Sequence, residues 1–150
     1  MTAFVLPAGF GKRPRKSGVP RKHPEQSLQI QIASWLSWVL PDDVPWTAIG
    51  HGGGGLRRGQ ILKAMGLHAG WPDLILLVNK RAVFVELKTQ SGALSPAQKA
   101  VHIAIAVAGG LVKTCRSIDE LKAFLEVLGV PLRTEKPSAT RLREAGERLA

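Results

Sequence analysis

The chain has a single cysteine, Cys115, and no tyrosine in 150 residues. One cysteine excludes an internal disulfide framework and fits a reducing cytosol. Aromatic residues make up only 5% of the chain, which leaves no platform on which successive bases could stack. Acids are scarce as well: 11 Asp and Glu stand against 21 Lys and Arg, for a formal net charge of +10. That balance favours a polyanionic partner. No apolar run is long enough to cross a bilayer, since the longest, around Ile103 to Val112, is broken by Gly109-Gly110. The N-terminus places its apolar residues before its basic ones, the reverse of a secretory signal. A cytoplasmic protein without a membrane partner is expected. No helix-turn-helix and no zinc-ligand spacing is visible. The glycine run from Gly50 to Gly55 lacks the G-K-[ST] of a phosphate loop, and its His51-Gly-Gly-Gly has no G-x-S-x-G partner of the esterase kind.

What is present organises into one domain. The length and the 45% hydrophobic content suffice for a single core. Charge is unevenly spread. Residues 1–24 carry six Lys or Arg and no acid, whereas residues 25–50 carry Glu25, Asp42 and Asp43 and no Lys or Arg. Residues 1–22, rich in Pro, Gly and basic side chains without periodicity, read as a flexible arm, either a loose phosphate contact or a solvated tail. The domain proper is expected over 23–130. A charged tail over 131–150 follows, with a stretch at 140–149 that has helical character.

Within the domain, a helix is expected from Pro24 to Val39, with Leu28, Ile32, Trp35, Leu36 and Val39 as its apolar stripe. Trp46 to Ile49 read as a short strand. A glycine loop carrying Arg57 and Arg58 comes next, placed for backbone contacts to nucleic acid or serving as a plain connection, and Gln60 to Gly66 suits one or two helical turns that include Lys63. Further on, Ser95-Pro96-Ala97-Gln98 is a helix start, with Ser at the N-cap, Pro at N1 and Gln at N3 in capping-box order. That helix runs to about Ala108. His102 shares a face with Gln98 and reads more simply as a core histidine than as a ligand. Leu111 to Cys115 form another strand, and Ser117 opens a last helix that extends to Leu128.

The chemistry concentrates between these elements. Leu74 to Val78 and Ala82 to Val85 read as two apolar strands buried on both faces, joined by a turn at Asn79-Lys80. A two-residue turn sets Val78 opposite Arg81, and counting back sets Asp73 opposite Glu86, with Cβ atoms roughly 4.5–5.5 Å apart. Lys88 points to the same face as Glu86 because strand side chains alternate. Two ionised carboxylates at that spacing repel, and a divalent cation removes the conflict. An all-oxygen set of this kind favours Mg²⁺ or Mn²⁺, with Lys88 serving the hydrolytic water and offsetting charge on a phosphate. The alternative is a surface hairpin in which Lys88 forms a salt bridge with Glu86 or Asp73.

Pro72-Asp73 with Glu86-Leu87-Lys88 resembles the PD-(D/E)xK nuclease core. The longer order, Gly70-Trp-Pro-Asp73, Glu86-Leu-Lys88, Ser95-Pro-Ala-Gln98 and Gly109-Gly110, is similar to its VRR-NUC branch over roughly residues 25 to 129. The resemblance implies an α/β restriction-endonuclease-like core, a mixed sheet flanked by helices in the order α-β-β-β-α-β-α. It implies that Asp73, Glu86 and the backbone carbonyl of Leu87 hold Mg²⁺ or Mn²⁺ and that Lys88 serves the water. Gln98 matches an active-site glutamine, although its capping role is a full structural explanation. Glu25 matches an acidic residue beside the metal, although an acid at a helix N-terminus also suits the helix dipole. The expected activity is a metal-dependent endonuclease acting on DNA, with Arg57, Arg58 and Lys63 on its backbone. Branched DNA such as a Holliday junction, cut by a homodimer, is the expected substrate. Flap or duplex cleavage, or a non-catalytic DNA-binding module of the same fold, are the alternatives.

Overall fold

The computed structural model describes residues 23–50 and 55–134. The expected basic arm, the middle of the glycine run and the stretch at 140–149 lie outside the described residues. Helix α1 spans Pro24–Val39, with Pro24 at its start, and buries Ile32, Leu36 and Val39. It ends where Pro41 disfavours the helical region for the residue before it, and Leu40 is extended there (φ −74°, ψ 139°). Strand β1, Trp46–Ala48, is followed by α2, Gly55–Ala64. This second helix corrects the sequence reading. It has ten residues rather than one or two turns and takes in Arg57 and Arg58, which were expected on a loop. Gly66, at φ +94°, closes it, with Leu67 N–H donating to the Leu62 carbonyl.

Strands β2, Leu74–Val78, and β3, Arg81–Leu87, form the expected hairpin. Asn79 and Lys80 both adopt positive φ (49° and 65°), which a two-residue turn of type I′ requires. The register is the one counted from the sequence, with Val78 opposite Arg81 and Leu74 opposite Val85. Helix α3, Pro96–Val107, crosses to β4, Leu111–Cys115, which pairs parallel with β3, and α4, Ile118–Val127, completes the fold. The sheet order is β1-β2-β3-β4, so β3, the strand carrying Glu86, is interior.

One sheet face builds the core. Leu74, Leu76, Val78, Val83, Val85, Leu87 and Cys115 pack with Ile32 and Leu36 of α1 and Leu121 and Leu125 of α4. By alternation, Phe84 and Glu86 point to the other face, toward α3. Burial on both faces holds for β3, where Val83 to Leu87 are all buried, and fails for β2, whose Leu77 is 51% exposed. Beside it, an apolar groove of about 550 Å³ runs between Trp71, Phe84 and the Val101, Ala104 and Ile105 side of α3. The reason is coverage. Helix α3 packs on β4 and reaches Glu86 of β3 through Gln98, while α2 contributes no buried residue to the β2 side.

Candidate active site at the end of the hairpin

The site forms where β3 emerges between the N-terminus of α3 and the first turn of α1. Asp73 stands one step before β2, opposite Glu86 by continuation of the Leu74–Val85 register. Its Oδ2 accepts a hydrogen bond from the Leu87 N–H at 2.7 Å, and its backbone carbonyl accepts from the Ile49 N–H. The aspartate is thus tied by its side chain to β3 and by its main chain to the end of β1. Glu86 is 1% exposed. Its Oε1 accepts from Gln98 Nε2 at 2.6 Å and lies 3.3 Å from Lys88 Nζ. Lys88 is also buried, and its Nζ lies 3.7 Å from Glu25 Oε1 on α1. The Lys88–Glu86 ion pair of the plainer reading does form, but at the buried end of an interior strand rather than on a surface hairpin. Removing one partner of such a pair leaves an uncompensated charge and costs about 3–5 kcal/mol.

Gln98 fills both roles weighed for it. Its Oε1 accepts from the Ser95 N–H at 2.9 Å while Ser95 Oγ accepts from the Gln98 N–H, closing the capping box. The amide nitrogen remains free to hold Glu86. Capping therefore presets the rotamer that presents Nε2 to the carboxylate. Glu25 reaches Lys88 and is 53% exposed at its side chain, so the structure brings it to the lysine. Asp73, Glu86, Lys88, Gln98 and Glu25 are gathered around one strand end. Arg57, Arg58 and Lys63 are carried on α2, with both arginines and the lysine exposed.

His102 shows Nε2 to the site 3.8 Å from Glu86 Oε2. Burial first, and Lys88 second, hold this imidazole below the usual histidine range, toward its neutral form. Arg116 is the residue that sequence reasoning missed. Its Nη1 donates to the carbonyls of Thr89 and of Gly92 (2.8 Å), with Gln90 O at 3.4 Å. One guanidinium thereby clamps the loop that runs from Lys88 to the start of α3. Nothing in the local sequence signals this, because the bonded carbonyls lie more than twenty residues away.

The donor set fits a divalent cation. Asp73 and Glu86, on opposed strand positions, with the Leu87 carbonyl between Glu86 and Lys88, would offer an all-oxygen set of the kind that hard cations take. Among the described residues no three His, Cys, Asp or Glu side chains converge as a cation site. A set of two carboxylates completed by a backbone carbonyl agrees with that. The orientation also agrees: Gln98 and Lys88 engage Oε1 of Glu86, and a buried, unbonded imidazole nitrogen faces Oε2.

No curated protein matches the chain. A solved structure described as a VRR_NUC domain protein superposes with a TM-score of 0.56 at 21% identity, over 68% of this chain and 84% of that one. At that identity the likeness establishes the α/β fold. The family model for the VRR-NUC domain, a nuclease-type domain, matches residues 55–119, a shorter span than the resemblance suggested. The matched span includes Asp73, Glu86, Lys88 and Gln98 and leaves α1, with Glu25, outside. By sequence, residues 55–119 are similar to the VRR-NUC domain, and the fold is similar to that of a solved VRR_NUC domain protein.

Proposed function

We propose that the protein is a divalent-cation-dependent, structure-specific DNA endonuclease that hydrolyses phosphodiester bonds in branched DNA such as Holliday junctions. The observation that carries this reading is the buried Glu86 carboxylate, opposed to Asp73 and held by Gln98 and Lys88. Asp73, Glu86 and the Leu87 carbonyl would hold Mg²⁺ or Mn²⁺. Such an ion supplies Lewis acidity at the phosphate and an activated water.

The chain's own residues do the rest. Gln98 fixes the Glu86 carboxylate through one oxygen and leaves the other toward the site. Lys88 places its ammonium where negative charge develops on the phosphate, held there between Glu86 and Glu25. Arg116 keeps the loop after Lys88 from drifting, and so holds lysine and glutamine in register. Arg57, Arg58 and Lys63 on α2 contact the DNA backbone without reading sequence. The net charge of +10 supports a polyanionic substrate. A symmetric junction needs two cuts, which a two-fold homodimer supplies.

The test is cleavage of labelled four-way junction, 5′-flap and linear duplex DNA with Mg²⁺ or Mn²⁺, beside a Glu86→Gln control. Paired nicks in the junction, lost in the variant, are expected. Preferential flap or duplex cleavage would replace the substrate and keep the nuclease. Junction binding without any cleavage would replace the enzyme by a DNA-binding module.

A further inference from the structure

The sheet face that carries Glu86 continues, away from the strand end, into the apolar groove of about 550 Å³. Phe84 stands two residues before Glu86 on β3, on the same face and about 6.6 Å back along the strand. Trp71 stands two residues before Asp73, and its ring meets that of Phe84 at 5.7 Å between centroids and 58° between planes. Each carboxylate of the site thus has an aromatic ring two residues behind it, and both rings line the groove. Helix α3 completes the arrangement. Gln98 and His102 face Glu86, while Val101, Ala104 and Ile105 line the groove. The same strand and the same helix therefore build groove and site as one continuous surface. Of the lining side chains only His68 and Trp71 carry a polar atom. The volume falls within the roughly 300–1,000 Å³ of small-molecule pockets.

We propose that this groove receives the base of an unpaired nucleotide next to the scissile phosphate, and so selects DNA in which such a base is available. The inference rests on the nuclease reading above and deepens it by naming a feature of the substrate. A phosphate brought to Glu86 carries its own nucleotide to Phe84, so the occupant of the groove is covalently joined to the reacting group. Every base has a π-face that an aromatic ring can take, and a lining with so few polar atoms does not read base edges. The groove therefore holds one base by stacking and apolar contact, without sequence preference. A base stacked and paired in a duplex must first be extracted, whereas one already unpaired at a branch or flap enters without that cost. A second copy of the chain seated on this face would cover the approach to Glu86 that the phosphate needs.

The experiment uses the full chain and measures DNA binding by fluorescence anisotropy without divalent cations, so that no strand is cut. The probes are forked duplexes that differ only in the unpaired nucleotides at the branch, which are either normal or abasic. Wild type is expected to bind the normal fork at least about five-fold more tightly than the abasic one, the lower end of what stacking one base on an aromatic ring contributes. All bases should serve alike. Ala104 is exposed on α3 and lines the groove, so Ala104→Trp fills the space without displacing the core. That variant is expected to bind the normal and abasic forks equally. Equal affinity of wild type for the two forks would overturn the proposal without needing any variant. A preference that survives in Ala104→Trp would do so as well. If wild type shows no preference and Ala104→Trp turns a dimer into a monomer in light scattering, the groove is a contact between copies instead. Cleavage of the same forks with Mg²⁺ or Mn²⁺ separates the two readings. Equal cleavage of normal and abasic forks removes the base site and keeps the nuclease. A base preference in binding without any cleavage keeps the base site and removes the nuclease.

Discussion

At Gly70 the backbone leaves no room for a side chain. The residue has φ +90°, and a Cβ there would stand 2.6 Å from the carbonyl carbon and oxygen of Ala97 and 2.9 Å from the Gln98 nitrogen. The segment leading to Asp73 therefore lies directly against the first turn of α3, which presents Gln98. Gly70→Ala would combine a left-handed backbone with an overlap against main chain. About 1–2 kcal/mol from the first and 1–3 kcal/mol from the second predict a destabilisation of roughly 2–5 kcal/mol in urea unfolding. Cleavage should fall further than the folded fraction does, because the same clash displaces Gln98. Cys115 makes a simpler residue-level prediction. Burial is the main cause that pushes its thiol up to about 11, with Glu120 adding to the shift and Lys113 opposing it. The reactive thiolate is thus suppressed at neutral pH. Iodoacetamide should leave the folded protein unmodified at pH 8 and label it once in denaturant. Fast labelling of the native protein would contradict the burial.

At the scale of elements, the site depends on how two helices, α1 and α3, and the β4–α4 junction meet one strand end. Helix α3 enters by a capping box whose glutamine also holds Glu86, so the start of the helix and the shape of the site are one structure. Ser95→Ala should cost about 1 kcal/mol of stability as a lost N-cap and should leave turnover of the folded protein nearly unchanged, since the backbone N–H of residue 95 still holds Gln98 Oε1. The junction between β4 and α4 contributes Arg116, which reaches back to the loop after Lys88. Arg116→Ala frees those carbonyls. Hydrogen bonds from charged groups contribute about 1.5–3 kcal/mol each, but the loop can take up water, so a stability loss at the low end is expected. Turnover should fall about ten-fold or more, as misplacement of catalytic groups by an ångström costs up to a hundred-fold, with KM nearly unchanged. Arg116→Lys should restore little, because an ammonium lacks the planar fork that spans several carbonyls. Loss of stability with unchanged kcat would make Arg116 purely structural.

For the whole molecule, the question is how a small, strongly basic domain engages its substrate. Helix α2 buries nothing and carries Arg57, Arg58 and Lys63. Removing one cation that neutralises a phosphate lowers the slope of log affinity against log salt by about 1. Arg57→Ala with Arg58→Ala should therefore reduce the slope by about 2 and weaken duplex and junction DNA alike. A large effect on one DNA shape only would mean that α2 reads structure rather than backbone. Light scattering in solution and on junction DNA tests the proposed homodimer. A monomer under both conditions would remove paired cutting and leave single-strand nicking.

The sequence by itself determined what neighbouring residues decide. A two-residue turn at Asn79-Lys80 sets the β2–β3 register, and with it the opposition of Asp73 and Glu86. Ser95-Pro96 and Ser117 set where α3 and α4 begin. Where only composition was available, the reading fell short. Arg57 and Arg58 follow a glycine run and were expected on a loop, yet they belong to a helix that no buried residue anchors. Leu77 sits in an apolar run and is half exposed, because burial of a strand's second face depends on which helix lies over it. The approach of Glu25 to Lys88, of His102 to Glu86 and of Arg116 to Gly92 was decided by the tertiary structure alone. Each joins residues from different elements, and their meeting depends on how helices pack across the sheet. Local chemistry sets strand register and helix starts, whereas only the packed fold determines which side chains share the space around Glu86.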